Sequence, residues 1–487
     1  MNRLLLLLVA LGGCATPTPS GGFDIVLVGG RVMDPETGLD AIRNVGILEG
    51  RIAAVTTEAI RGRETIDARG LVVAPGFIDL HSHGQDAENY GLKAADGCTT
   101  ALELEVGAAD IDGWYRAREG RSLINFGTSV GHIPVRMAVM GDPPGFLPDT
   151  AAKANTVPAS DAAIEEIKRR LRDGLKRGAV AMGFGIQYTG AASRWEILEA
   201  FRVAAEFGAS CHVHLRHNGR KEPNNSTQAL EEVLAAAAVT GAPLHVVHIH
   251  STSVAATPRH LQMISEAKAR GLDVTAECYP YQAGMTKLNS GVFDGNWREA
   301  LEVDYKDILW PATGERLTAE TFEKYRKSDD YAIIFSIPET AVNAALVHPL
   351  VLIGSDGIWD PLKKQGHPRC AGTYARILGR YVREQKLLPL MEALRKMSLG
   401  PAQRLEHQAP MFKKKGRVQA GADADLAVFD PATVIDRSTY DDPTKVSEGF
   451  CWVLVNGVPV LRNRELLRQG PFQGGFPGRA ARGPIRD

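Results

Sequence analysis

Histidines recur in this sequence at spacings that suit a metal ion. In Pro75-Gly76-Phe77-Ile78-Asp79-Leu80-His81-Ser82-His83 two of them stand two residues apart. On an extended strand such residues project to the same side, so both imidazoles reach one ion. Chance produces isolated pairs of this kind, but this one ends an apolar run, where a barrel strand delivers side chains to the mouth. Later apolar runs carry the same theme: His212 and His214, then His245, His248 and His250, and finally Asp356 in Gly354-Ser355-Asp356-Gly357. A lone histidine in an apolar strand is usually satisfied packing. Their recurrence at successive strand ends points instead to a metal that activates water for hydrolysis.

The elements that must position these groups read as eight strands: Val72 to His81, Thr99 to Val106, Leu123 to Val130, Val180 to Ile186, Ser210 to Arg216, Leu244 to His250, Val274 to Tyr279 and Leu350 to Ser355. Helical stretches alternate with them, for example Ala162 to Arg177, Thr227 to Ala238 and Arg259 to Arg270. That alternation predicts a distorted (β/α)8 TIM barrel over 74–406, with 285–349 as an insertion over its mouth. Short strands joined by Gly and Asp turns at 23–73 and 407–470 predict a small β-sandwich formed by both chain ends, followed by a tail at 471–487.

With 487 residues, 44% of them hydrophobic, the chain is long enough to bury a large core. Its formal charge of −1, spread along the length, argues against nucleic acid as a partner. The basic run Lys168 to Lys176 alternates with leucines and reads as a solvated helix face. Met1-Asn2-Arg3 followed by Leu4 to Leu11 has the charged head and short apolar core of a secretory signal, too short to span a bilayer. Leu11-Gly12-Gly13-Cys14 resembles a bacterial lipobox, so residues 1–22 are expected to form a signal and tether. The protein is then exported to the periplasm and held at the membrane through lipid on Cys14. The six cysteines show no paired spacing, and those other than Cys14 are expected to be small buried hydrophobes.

Specific phrases carry a resemblance to the amidohydrolase superfamily, in its N-acyl-D-amino-acid deacylase (D-aminoacylase) branch. They are NVGI-x-x-GRI, AxGLVVAPGFID, Gly131-His132, Gly185-x-x-Tyr188, His214-Leu215-Arg216, Tyr279-Pro280-Tyr281, His367-Pro368-Arg369 and GADADLAVFDP. The resemblance implies zinc, one ion or two, with His81, His83, His214 and His248 as ligands. It implies Asp356 both as a ligand and as the base that passes a proton to the leaving amine. His212 and His245 fall outside the ligand pattern and are expected to be structural. The sequence departs from the family at the bridging ligand. Many members carry a carboxylated lysine on strand four, yet 179–186 holds none, and where this branch has a cysteine at the end of strand two this chain reads Glu103-Leu104-Glu105-Val106-Gly107. Cys98 lies before that strand, and seven extended residues span roughly 23 Å, which puts it at the wrong end of the barrel. Glu105 is the expected ligand, with Glu103 next.

These residues imply hydrolysis of the amide of an N-acyl-D-amino acid, a small-molecule partner. Arg369 is expected to grip its α-carboxylate through a bidentate fork. Tyr281 and His250 are candidates for the oxyanion, and Tyr188 for substrate contact. A closer similarity to D-glutamate deacylases, through Gln187 to Arg194 and Glu277-Cys278-Tyr279, makes Arg194 a candidate reader of a side-chain carboxylate. A dipeptidase acting on D-configured C-terminal residues, or a cyclic amidase or deaminase, would use the same metal groups. A non-catalytic binding protein is expected to lack Asp356 or a ligand histidine, and neither is missing.

Overall fold

The computed structural model describes residues 22–468, 472 and 475–486, and the expected signal and Cys14 lie outside them. Eight short parallel strands follow one another around a barrel. They are β1 (Phe77–Asp79), β2 (Cys98–Ala108), β3 (Asn125–Gly131), β4 (Met182–Gly185), β5 (Cys211–His214), β6 (Leu244–Val246), β7 (Val274–Cys278) and β8 (Val351–Ile353). Their residues are nearly all buried, as expected of strands covered on both faces. Helices cover the outside. In Asp161–Lys176 the buried Ile164, Ile167, Leu171 and Leu175 form one apolar stripe, and Ser160 caps the first turn by accepting from the Ala163 N–H. Its basic residues point outward into ion pairs, such as Arg169 with Glu166 and Asp173.

The barrel closes through side chains and mouth loops. Asp79 on β1 accepts from the Ser355 N–H at 2.9 Å and the Ser355 hydroxyl at 2.6 Å, and the buried Lys93 Nζ lies 2.8 Å from its second oxygen. At the mouth, the Asp356 N–H donates to the His81 carbonyl at 2.7 Å, and the His83 N–H to the Gly357 carbonyl at 3.0 Å.

Both chain ends join in one nine-stranded sheet. Val72–Pro75, read from sequence as the start of the first barrel strand, belongs to it: the chain breaks at Gly76, and these residues pair antiparallel with Leu426–Phe429. The insertion is shorter than 285–349. It holds a four-stranded antiparallel sheet made by Gly284–Lys287, Ile308–Trp310, Glu315–Arg316 and Tyr331–Ile334. The next helix, Glu339–Val347, packs on β7 and β8 as a barrel helix. Leu288, Val292, Phe293, Trp297 and Ile334 of the insertion share an apolar core with Val106, Ile133 and Tyr188, which seats it on the mouth. Described residues of the C-terminal tail dock on the barrel: the Phe126 N–H donates to the Arg479 carbonyl, Ala481 returns the bond, and Ala481 packs among Ile78, Leu102 and Leu104 at the barrel base.

Candidate metal centre

Local backbone geometry decides which side chains reach the mouth. β2 is the longest barrel strand, and its ladder with β3 is interrupted between Glu103 and Ala108. Gly107 at φ +69° supplies the left-handed step that lets the strand end fold inward over β4. A Cβ on Gly183 of β4 would stand 2.3 Å from the Glu105 carbonyl oxygen and 2.4 Å from that of Leu104. The backbone of strand two therefore leaves no room for a side chain at position 183, and Glu105 of that strand reaches the centre. Cys98 sits buried at the start of the same strand, in the apolar core. All five cysteines among the described residues are buried and unpaired.

Two donor groups meet at Glu105. His81, His83, Glu105 and Asp356 present atoms within 4.8 Å of one another, as do Glu105, His214 and His248. Glu105 Oε2 lies 2.6 Å from His81 Nε2 and 3.4 Å from His83 Nε2, while Oε1 lies 2.9 Å from His214 Nδ1. Asp356 Oδ1 stands 3.5 and 3.3 Å from the two Nε2 atoms of His81 and His83. His248 Nε2 is 3.9 Å from Glu105 Oε2. It does not come from a strand: β6 stops at Val246, and His248 turns at φ +30° into the short helix Ile249–Ser253.

Every one of the four histidines has its far ring nitrogen beside an oxygen. His81 Nδ1 lies 2.5 Å from Glu277, His83 Nδ1 2.8 Å from Glu103, His214 Nε2 2.9 Å from Gln187 and His248 Nδ1 3.1 Å from Ser251. Those oxygens take the ring N–H and leave the opposite nitrogen a lone pair aimed at the centre. Glu103 also accepts from the Val106 N–H at 3.1 Å, which stitches the inward fold of β2. This donor set, buried and with its tautomers assigned by neighbours, fits divalent metal with Glu105 shared between two positions.

The electrostatics agree with that fit. Burial would raise the pKa of Glu105, but His81 and His214 outweigh it and hold the carboxyl well below its ordinary value. Burial likewise acts to raise Asp356, and Arg369, whose Nη1 lies 3.0 Å from Asp356 Oδ2, together with His81 brings it well below the usual carboxylate range. Burial lowers His81, yet Asp356, Glu277 and Glu105 around it lift it to about 10, so without metal the ring carries a second proton, which metal binding would displace. Burial with His214 alongside takes His248 down to about 4.

Sequence reasoning missed the column behind His81. Glu277 Oε2 lies 3.0 Å from His245 Nε2, and His245 Nδ1 lies 2.7 Å from Thr275 Oγ1. His245 thus touches Glu277 behind His81 and stands outside the two donor groups; His212 packs against it with ring centroids 4.6 Å apart. The alternation Thr275-x-Glu277 on β7, with both side chains turned to the barrel interior, was the available signal.

A cavity opens on the donor groups, lined by Tyr188, Tyr279, Gln187, Asn218, Ser251, Thr252, Met285, Tyr331 and Arg369 among others. Three sequence expectations, Tyr281, Arg194 and His250, do not reach it. The Tyr281 ring packs against His367 and under Arg376, and its hydroxyl meets the Pro368 carbonyl at 3.4 Å; its neighbour Tyr279 faces the cavity instead. Arg194 begins the helix Arg194–Phe207, is 59% exposed and stands 3.8 Å from Glu232, a carboxylate already held by Arg216. His250 lies behind the wall, its ring 4.4 Å from that of Tyr279.

The same architecture recurs in known proteins. An N-acyl-D-glutamate deacylase of Alcaligenes xylosoxydans xylosoxydans is 33% identical across 90% of this chain and 93% of its own length. A D-aminoacylase of the same organism is 30% identical across 92% and 96%. The crystal structure of N-acyl-D-glutamate deacylase from Bordetella bronchiseptica, complexed with zinc and a phosphonate mimic of the tetrahedral intermediate, superposes with a TM-score of 0.81 at 30% identity. It covers 95% of this chain and 100% of that one. L-Hydantoinase from Arthrobacter aurescens, at 17% identity and a TM-score of 0.63, shares the fold. The model of the amidohydrolase family matches residues 64–461, a span that begins in the sheet, takes in the whole barrel and every metal-facing side chain described above, and ends back in the sheet. By architecture, donor set and sequence alike, this chain belongs to the amidohydrolase family.

Proposed function

We propose that the protein is a zinc-dependent deacylase that hydrolyses the amide bond of N-acyl-D-amino acids. The observation that carries this is the pair of buried donor groups sharing Glu105, opening on a cavity that holds Asp356 and Arg369 side by side. Zinc held by His81, His83, Glu105, Asp356, His214 and His248, as one ion or two, supplies Lewis acidity toward the scissile carbonyl and lowers the pKa of a water. Asp356, kept ionised by Arg369 and His81, accepts the proton of the attacking water and delivers it to the leaving nitrogen. Arg369, stacked at 4.5 Å over Tyr279, offers guanidinium hydrogen atoms to the substrate α-carboxylate. Burial pushes the Tyr188 and Tyr279 hydroxyls far above their ordinary pKa, so both stay neutral and able to donate to the oxyanion. The proposal includes export with lipid on Cys14, supported by the sequence of residues 1–22.

The test is a panel of N-acetyl and N-formyl D- and L-amino acids, hydantoins and adenine, with metal analysis on the same sample. Hydrolysis of the D-configured acyl amino acids, lost on chelation and restored by zinc, supports the reading. In Asp356→Asn, turnover should fall by about 10²–10⁴-fold, the usual size of a general-base contribution, while substrate still binds. Turnover confined to hydantoins or adenine overturns the proposal.

A further inference from the structure

The cavity wall also bears on what the substrate can be, through its charges. Among the described residues that line it, Arg369 is the one Lys or Arg side chain, and Glu105 and Asp356 are the only carboxylates. Both carboxylates belong to the metal centre. Arg369 is 1% exposed, and neither its Nε nor its Nη1, which lies 3.0 Å from Asp356, has a hydrogen-bond partner among the described residues, so buried guanidinium donors are left for an incoming anion. Much of the remaining wall is apolar, with Val106, Phe146, Leu147, Val292, Leu301 and Ile358 prominent. A second depression that shares Asn218 holds further charges, among them Lys221 and Glu299, which already pair at 2.5 Å.

We infer that the substrate brings a single ionised group, its α-carboxylate, and that its side chain is uncharged and apolar. This rests on the deacylase reading above. An acidic side chain would place a second anion in a wall whose one Lys or Arg is already shared between Asp356 and the α-carboxylate, and a buried charge without a partner is strongly disfavoured. A free α-ammonium, as in an unacylated dipeptide, would find only the two carboxylates committed to metal. The same wall therefore disfavours both N-acyl-D-glutamate and dipeptides with a free N-terminus, while it offers the side chain of N-acyl-D-leucine apolar surface.

The experiment compares kcat/KM of the zinc-loaded enzyme for N-acetyl-D-leucine, N-acetyl-D-glutamate and L-alanyl-D-leucine. The leucine derivative is expected to exceed each of the others by at least tenfold. Met285→Arg adds a cation at a half-buried lining position whose carbonyl lies 3.5 Å from Arg369 Nη2, and it is expected to move the glutamate-to-leucine ratio at least tenfold toward glutamate. A wild-type ratio under tenfold, a preference for glutamate or for the free dipeptide, or a Met285→Arg ratio that does not move, overturns the inference while leaving a deacylase in place. Hydrolysis of none of the three overturns the deacylase reading itself.

Discussion

Glu277 stands 2.5 Å from His81, and its other oxygen is 3.0 Å from His245, so one buried carboxylate orients a metal-facing imidazole from behind. Such partners set ring orientation and tautomer, and their loss typically costs about 10–100-fold in metal affinity. Glu277→Gln is expected to lower zinc affinity within that range. His245→Ala should do so less, because it touches only the far oxygen. Competition against a chromophoric chelator measures both, and unchanged affinity in Glu277→Gln would reject the assignment.

The shared position of Glu105 predicts a joint loss. Glu105→Ala is expected to empty both donor groups, whereas Glu103→Ala weakens the support of His83 and of the inward fold of β2 without removing a donor, and Cys98→Ala leaves the metal content intact. Elemental analysis of the three dialysed variants checks this. Full metal in Glu105→Ala, or an empty Cys98→Ala, would move the strand-two ligand elsewhere.

Arg369 lowers the Asp356 pKa and so sets the acid side of the pH profile. The folded carboxyl is held below its ordinary value, so the base is present above that depressed value and lost only as pH falls through it. Removing the guanidinium in Arg369→Met raises the Asp356 pKa, and the acid limb of kcat is expected to move to higher pH. Arg369→Lys should keep more of that charge effect yet lose the parallel hydrogen bonds, with the larger loss in kcat/KM. An acid limb that stays in place in Arg369→Met would detach Asp356 from the proton transfer.

Lys93 is buried against Asp79 at the seam between the first and last barrel strands. Burial acts to lower its pKa, and Asp79 outweighs that to raise it, so the ammonium persists in the fold. Lys93→Met strands a buried carboxylate, which costs about 3–5 kcal/mol. Chemical denaturation should show that loss, and the double variant Lys93→Met with Asp79→Leu should recover part of it.

The barrel and most of the metal-facing set were legible in the sequence because a strand ending in His-x-His states both its period and its end. His81, His83, His214 and Asp356 fall where an extended strand and its following turn put them. His248 was legible by type and not by place: its left-handed backbone, just past β6, follows from how the next helix packs, which no local pattern records. Tyr279 and Tyr281 are both aromatic within three residues, and only the way the mouth loop turns decides that the first faces the cavity. Gly183 gave no sign in sequence of why it admits no side chain, since the reason is the backbone of Leu104 and Glu105, some eighty residues earlier.

The pairing of Val72–Pro75 with Leu426–Phe429 ties folding to synthesis. A ribosome must make some 350 further residues before the earlier strand meets its neighbour, and contacts this distant in sequence slow folding because the long loop must close first. Until then Val72–Pro75 offers an open, wholly apolar edge, the kind of surface that recruits other chains. A nascent chain stalled before Leu426 is therefore expected to aggregate or to depend on a holdase, even though every metal-facing residue has already been made.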